Sequence, residues 1–328
     1  MKTEQSKFDI RFETLVLGDG SLDKKKIKRR EYIKQNIPLF FMSLPAIVVL
    51  ILFSYVPMFG LILGFKDYSY RKGIFGSAWV GLDNFKYIFS SGEIYRTLKN
   101  TILYHIAFSI AILVCSVFVA IMLYFIRSKT ATKIYQESII LPYSISYVVI
   151  SYIVYIFLNS DYGLVNKLLV MLGSEEISWY TTPKYWPVIF VIVQVWFGAG
   201  IKSVYYYGSL MAIDTSLFES AELDGANRWN KIRHIMFPSL APVVSIFMIL
   251  DLGAILDSIF SLFYSVPLDS SALYSVTDVL STYTYRGLMT AEIGTTTALG
   301  LFTGLVTTVM TLLVNTVVKK ISPENSLL

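Results

Sequence analysis

Six stretches of this chain, near residues 37–64, 101–126, 136–158, 185–210, 239–263 and 294–318, are each apolar for the length a helix needs to cross a bilayer core. That pattern dictates an all-α integral membrane protein with six transmembrane helices, and composition agrees. Hydrophobic residues make up 55% of the 328 and charged residues only 16%, where a soluble domain carries roughly a quarter charged. The first stretch is no signal peptide, because it starts after about 36 residues and runs on without a small-residue cleavage site. A chain of this length has room for one bundle and none for a separate catalytic domain of ordinary size.

The net charge of +5 raises nucleic acid as a partner, but the cations crowd beside the apolar segments. Lys24, Lys25, Lys26, Lys28, Arg29 and Arg30 precede the first one directly. This is a topology signal, and it excludes nucleic acid as the reading. With both termini cytoplasmic, the inner segments hold Arg127, Lys129, Lys133, Arg228, Lys231, Arg233, Lys319 and Lys320. The outer segments 159–184 and 264–293 hold only Lys167, Lys184 and Arg286. The first outer loop dissents, with Lys66, Arg71, Lys72, Lys86, Arg96 and Lys99. Its stretch Trp79 to Tyr95 is amphipathic and reads as an interfacial helix. The chain then divides into a basic amino tail (1–36), a membrane domain (37–322) and a short carboxyl tail (323–328), both tails on the cytoplasmic side.

Catalytic and metal chemistry find no foothold. The single cysteine, Cys115, lies in an apolar run, and His105 and His234 are far apart with no metal-ligand spacing around them. The 23 tyrosines and 22 phenylalanines suit interfacial belts. Lys202 reads as a side chain snorkelling to the cytoplasmic interface, and Gly60 with Gly64 as a small-residue helix contact.

The segment 211–238 is polar and has its own local grammar. Ser216 with Glu219 three residues on reads as a capping box that starts a short helix. Asp224-Gly225 signals a turn, Asn227 caps a second helix, and Pro238 is expected to stop it. Helices of two turns are too short to stand alone in water, so they must pack on something. Leu217, Phe218, Ala221, Trp229, Ile232 and Ile235 supply apolar surface for a partner's groove, the alternative being a loop resting on its own bundle.

This segment resembles the coupling loop of permeases in ATP-binding-cassette (ABC) importers: Glu-Ala-Ala, three residues, Gly, nine residues, then Ile-x-Leu-Pro. Here stand Glu219-Ser220-Ala221, Gly225 and Ile235-Met236-Phe237-Pro238, with departures at Ser220 and Phe237 and the spacing intact. Trp79-Val80-Gly81-Leu82-Asp83-Asn84-Phe85, Leu98-Lys99-Asn100-Thr101 and Leu141-Pro142-Tyr143 look like carbohydrate-importer permeases. Asp278-Val279-Leu280 through Leu288 looks like the branch for complex oligosaccharides in Gram-positive bacteria. The resemblance implies a sugar permease of the bacterial plasma membrane, paired with a second homologous permease, two ATPase subunits and an extracellular substrate-binding lipoprotein. Glu219, Ser220, Ala221, Asp224, Gly225, Ile235 and Pro238 are then the ATPase-coupling residues. Glu219 would meet a basic residue of the ATPase, cap its own helix, or both.

ATP and magnesium belong to that partner, because this chain has no phosphate-binding loop and is not itself an enzyme. Gly198-Ala199-Gly200-Ile201-Lys202-Ser203 has the wrong spacing for one. Candidates for the substrate path are Trp196, Phe197 and Gly198 on the fourth span and Asp251, Gly253 and Asp257 on the fifth. Carboxylates accept hydrogen bonds from the hydroxyls of a neutral sugar, and intramembrane charges usually face a cavity. Interhelical bonding and plain packing are the alternative readings. Two rivals remain for the whole chain: an ABC permease for another polar solute, and an ion-coupled secondary transporter.

Overall fold

The computed structural model describes residues 29–256, 259–290 and 292–321. The amino-tail cations up to Lys28, the apolar stretch Phe12 to Leu17, Asp257 and the carboxyl tail 323–328 lie outside them. The chain divides into two units, one ending at Gly60 and one beginning at Leu61. In the first, helix α1 (Arg29–Leu50) passes through a π turn, Ile51–Tyr55. Five helices are long and apolar enough to cross a membrane: Phe40–Phe65, Gly92–Tyr124, Pro183–Met211, Arg228–Asp251 and Ile293–Thr316. A bent pair, Lys129–Ser144 with Tyr147–Leu158, makes a sixth if it is one span.

That bend corrects the expectation of one helix over 136–158. Helix α5 (Lys129–Ile140) is capped by Ser128, whose hydroxyl accepts from Ala131 N–H. Pro142 follows; it lacks an N–H and crowds the preceding turn, so the helix gives way to a single 3₁₀ turn, Leu141–Ser144. Ser146 caps a new helix, α6 (Tyr147–Leu158), and the two axes meet at 98°.

The expected fifth span, 239–263, is also revised. Pro238 does not stop the cytoplasmic helix. The short α10 (Arg228–Lys231) runs through a π turn, Ile232–Met236, into α11 (Phe237–Gly253). Phe237 N–H reaches the Ile232 carbonyl five residues back, and this wider turn carries the chain past the proline. The Ser239 hydroxyl donates to the Ile235 carbonyl one turn back, at 2.8 Å. After Gly253 the helix ends, and α12 (Phe260–Ser265) is a separate element.

Not everything is helix. Lys66 and Asp67 pair antiparallel with Trp79 and Ala78 in a two-residue ladder below the turn Gly73–Gly76. Lys66, which looked like a dissenting surface charge, is buried, and its Nζ donates to the carbonyls of Ile74 (2.8 Å) and Phe75 (3.1 Å). Lys86 pairs with Asp83, and Arg96 with Asp278. The expected interfacial helix over 79–95 is instead α3 (Asp83–Ser90), followed at Gly92 by the long α4 (Gly92–Tyr124). Ile88 and Ile94 bury against Leu280, Ala298 and Leu299, so α3 is docked on the bundle.

The main core forms around the most extensive helix pairing, α4 with α8 (Trp186–Met211). Tyr104, Phe108, Trp186, Phe190 and Phe263 interlock there, with Tyr104 edge-on to Phe190 at 5.7 Å. Each such pair contributes about 0.5–1.5 kcal/mol beyond the area it buries. The indole N–H groups of Trp186 and Trp179 are satisfied: Trp186 Nε1 donates to the Trp179 carbonyl (2.7 Å) and Trp179 Nε1 to Asn166 Oδ1 (2.8 Å). A charge cluster clamps 269–286 onto α4, where Asp278 accepts from Arg96 and Arg286 and Asp269 from Arg286.

Candidate functional site

Two places carry chemistry: an exposed helical hairpin and a polar cavity inside the bundle. The hairpin begins with α9 (Thr215–Leu223). Its cap is Asp214, not the expected Ser216, because the Asp214 carboxylate accepts from Ser216 N–H at 2.9 Å. This bond holds the Asp214 carboxyl below its ordinary range. The helix ends in a closed turn. Ala226 N–H bonds the Ala221 carbonyl (2.8 Å) and Gly225 N–H the Glu222 carbonyl (3.0 Å). Gly225 sits at φ +76 with open space where a Cβ would go, so the residue is needed for its backbone conformation. Asn227 caps the second helix through Asn230 N–H, as its position predicts.

Sequence reasoning missed the tie across the turn, Lys231 Nζ to Glu222 at 2.5 Å, which holds the Glu222 carboxyl below its usual range. Only the intervening glycine turn brings these two residues, nine apart, together. The apolar residues of the hairpin divide. Phe218 and Ile232 pack inward with Tyr206, Leu210 and Met236, while Leu217, Leu223 and Trp229 stay exposed beside exposed Glu219 and Ser220. Ala221 and Ile235 are half-buried, and Asp224, Gly225 and Pro238 are exposed.

The polar cavity, of about 370 Å³, is walled by α4, α8 and the end of α11. Phe197, Gly198 and Asp251 line it; Trp196 and Gly253 do not. Gln194 accepts from the Tyr147 hydroxyl at 2.7 Å, and Phe197 lies between Tyr143 and Tyr147. Lys202 lines the cavity and is paired there. Its ammonium donates to both carboxylate oxygens of Asp251, at 2.9 and 3.1 Å, and lies over the Phe247 ring. The Asp251 main-chain carbonyl is held by His105 Nε2 at 2.6 Å. The sequence offered each of these charges alone; nothing in it pairs residues 49 apart. Gly253 lines a second cavity, of about 800 Å³ and mostly apolar. Among the described residues no group of three His, Cys, Asp or Glu side chains is arranged to hold a metal.

Long apolar helices around a cavity that holds an ion pair, with a short hairpin turned outward, define a membrane permease. The chain belongs to the family of binding-protein-dependent transport system inner membrane components, whose model matches residues 112–324. It is 31% identical over 310 residues to the polygalacturonan/rhamnogalacturonan transport system permease protein YteP of Bacillus subtilis, covering 93% of this chain and 96% of that one. It is 28% identical to protein LplB of the same organism, over 99% of both. Among solved structures, a bacterial ABC transporter involved in import of the acidic polysaccharide alginate has a chain that superposes with a TM-score of 0.80. That chain is 31% identical, with 90% of this chain and 99% of that one covered. The protein is thus a multi-pass membrane permease subunit of an ABC importer, and the resemblance read from the 219–238 spacing holds for the family.

Proposed function

We propose that this permease carries oligosaccharides across the bacterial plasma membrane, driven by ATP hydrolysed in partner ATPase subunits. The relatives support the cargo: one is named for polygalacturonan and rhamnogalacturonan, and the solved neighbour imports alginate, captured in one structure with a periplasmic protein holding an alginate pentasaccharide. An extracellular binding protein, a lipoprotein in this reading, hands the sugar over. A second homologous permease completes the path, and a heterodimer is favoured.

The single observation that carries the coupling reading is the hairpin. Its inner face is spent on the bundle, and Glu219, Leu217, Leu223 and Trp229 remain outside on a turn closed by Gly225. This is a preformed contact for a groove on an ATPase, with Glu219 set to meet a basic side chain. ATP and magnesium reside in that partner. In this reading 37–322 crosses the membrane six times, with the bent α5–α6 pair as the third crossing. The tails 1–36 and 323–328 lie in the cytoplasm.

Co-purification tests it. The chain is expressed with its neighbouring transport genes, and the ATPase bound to it is measured. Leu223→Glu combined with Glu219→Lys changes only exposed side chains, so the bundle should insert normally while ATPase recovery falls at least tenfold. A wild-type chain that purifies without an ATPase, and whose uptake follows an ion gradient, would sink the reading.

A further inference from the structure

Resting on the oligosaccharide reading, we infer that Lys202 determines cargo charge: its ammonium recognises a carboxylate on the passing sugar, and Asp251 is the counter-ion that holds its place between cargoes. An ammonium inside a membrane span is costly, and such a charge usually faces a cavity or pathway. Here it is kept, and it faces the cavity, with the Lys202 and Asp251 side chains 23% and 29% exposed. Lys202 and Asp251 are the cavity's only Lys, Arg, Asp or Glu among the described residues; the other lining groups are aromatic, apolar or uncharged, with His105 beside them. This ion pair therefore stands out against walls that offer stacking faces and hydroxyls.

The geometry suits exchange. Asp251 lies two residues before α11 ends at Gly253, and its backbone is pinned through its own carbonyl, by His105 Nε2 and by Ala254 N–H. Its carboxylate can therefore turn away without disturbing the helix. Lys202 stands mid-helix in α8, and Phe247 backs its ammonium at 5.5 Å, so the cation stays at the wall when Asp251 leaves. A cargo carboxylate takes over the N–H donors that now reach Asp251, and the freed Asp251 accepts from cargo hydroxyls. Because one carboxylate replaces another, the cargo is held weakly enough to move on. No bond is made or broken.

The test uses the assembled importer, purified without its binding protein, and measures equilibrium binding of an oligogalacturonate and of the same oligomer fully methyl-esterified. The wild type should bind the acid at least tenfold more tightly than the ester. Lys202→Gln should erase that preference by weakening the acid alone, and Lys202→Arg should keep it. The double variant Lys202→Gln/Asp251→Asn removes both charges together, so it tests the preference even if Lys202→Gln assembles poorly; it too should bind acid and ester alike. Equal binding of acid and ester by the wild type overturns the inference, as does a Lys202→Gln variant that keeps the preference or weakens both ligands equally. Binding of neither form also overturns it. If uptake of every oligosaccharide tested is absent as well, the oligosaccharide reading itself falls.

Discussion

The last turn of α11 separates two cavities of opposite character. Asp251 faces one and Gly253 the other, and Ala254 touches both. Two residues apart on a helix is about 200° of rotation, so opposite faces follow from the spacing alone. Three of the larger cavity's hydroxyls are spent on their own helices. Thr284 donates to the Leu280 carbonyl, Thr303 to Leu299 and Thr311 to Thr307, each one turn back on its own helix. Most of that cavity's lining is apolar side chain and glycine, with Ser281, Tyr285 and Asn315 beside them. The smaller one contains a charged pair, and its Tyr147–Gln194 bond joins two different helices. Counting polar residue types would rank the two alike; following each hydroxyl to its acceptor separates them. The larger cavity has the greasier walls, and the smaller one has the charged chemistry.

The difference can be broken most forcefully through the wall of the polar cavity. A Cβ on Gly200 would collide with the Ile139 carbonyl, where α8 crosses the end of α5. Gly200→Val should cost about 3 kcal/mol or more through overpacking, read as a large fall in Tm and in the amount of protein in the membrane. Next in size is Asp251→Ala, which strands the Lys202 ammonium. The pair is partly exposed, so the loss should be about 2 kcal/mol, below that of a fully buried pair. Adding Lys202→Met should recover part of it, since the two residues are in contact and their effects do not add. Across the helix, Gly253→Ala sets a methyl 3.2 Å from Thr311 Oγ1, a side-chain atom able to shift, and should cost under about 1 kcal/mol. In the apolar cavity Gly304 has open space at its Cβ, so Gly304→Ala should raise Tm slightly, by up to about 1 kcal/mol of helix propensity.

The smallest effect is a pH response in the hairpin. Glu222 is held below its usual range by the Lys231 hydrogen bond. Its contribution is present above the ordinary glutamate pKa and is lost as pH falls through the lowered folded value. Amide exchange over 222–231 should quicken in that acid window, and Glu222→Gln should flatten the response.

The six apolar runs and the hairpin spacing could be read in advance because each depends on neighbours a turn or two away. Gly225 at positive φ and Asn227 as a cap are of this kind. The breaks were harder. Pro142 and Pro238 carry the same local warning; one ends a helix, and the other is passed by a π turn that no residue of the 232–236 stretch announces. The cavity was half legible. Phe197, Gly198 and Asp251 were picked out singly, but the partner of Asp251 lies on another helix. Lys202 therefore looked like an interfacial side chain until tertiary packing set it against a carboxylate. Lys66 misled in the same way, since its charge suggested a surface and its donors instead serve the backbone of the 73–76 turn.

The passage of α10 into α11 without a stop has a mechanical meaning. From Arg228 to Asp251 the backbone is one 24-residue rod, about 36 Å long at the usual rise per residue. One end leaves the hairpin, and the other carries the carboxylate that faces Lys202. Such a rod is stiff along its axis, so a push of an ångström or two at the hairpin arrives at the far end nearly undiminished. The π turn near its base, with one residue more than an α-helix would use, and Pro242 further along are the two joints where the rod can give under such a push.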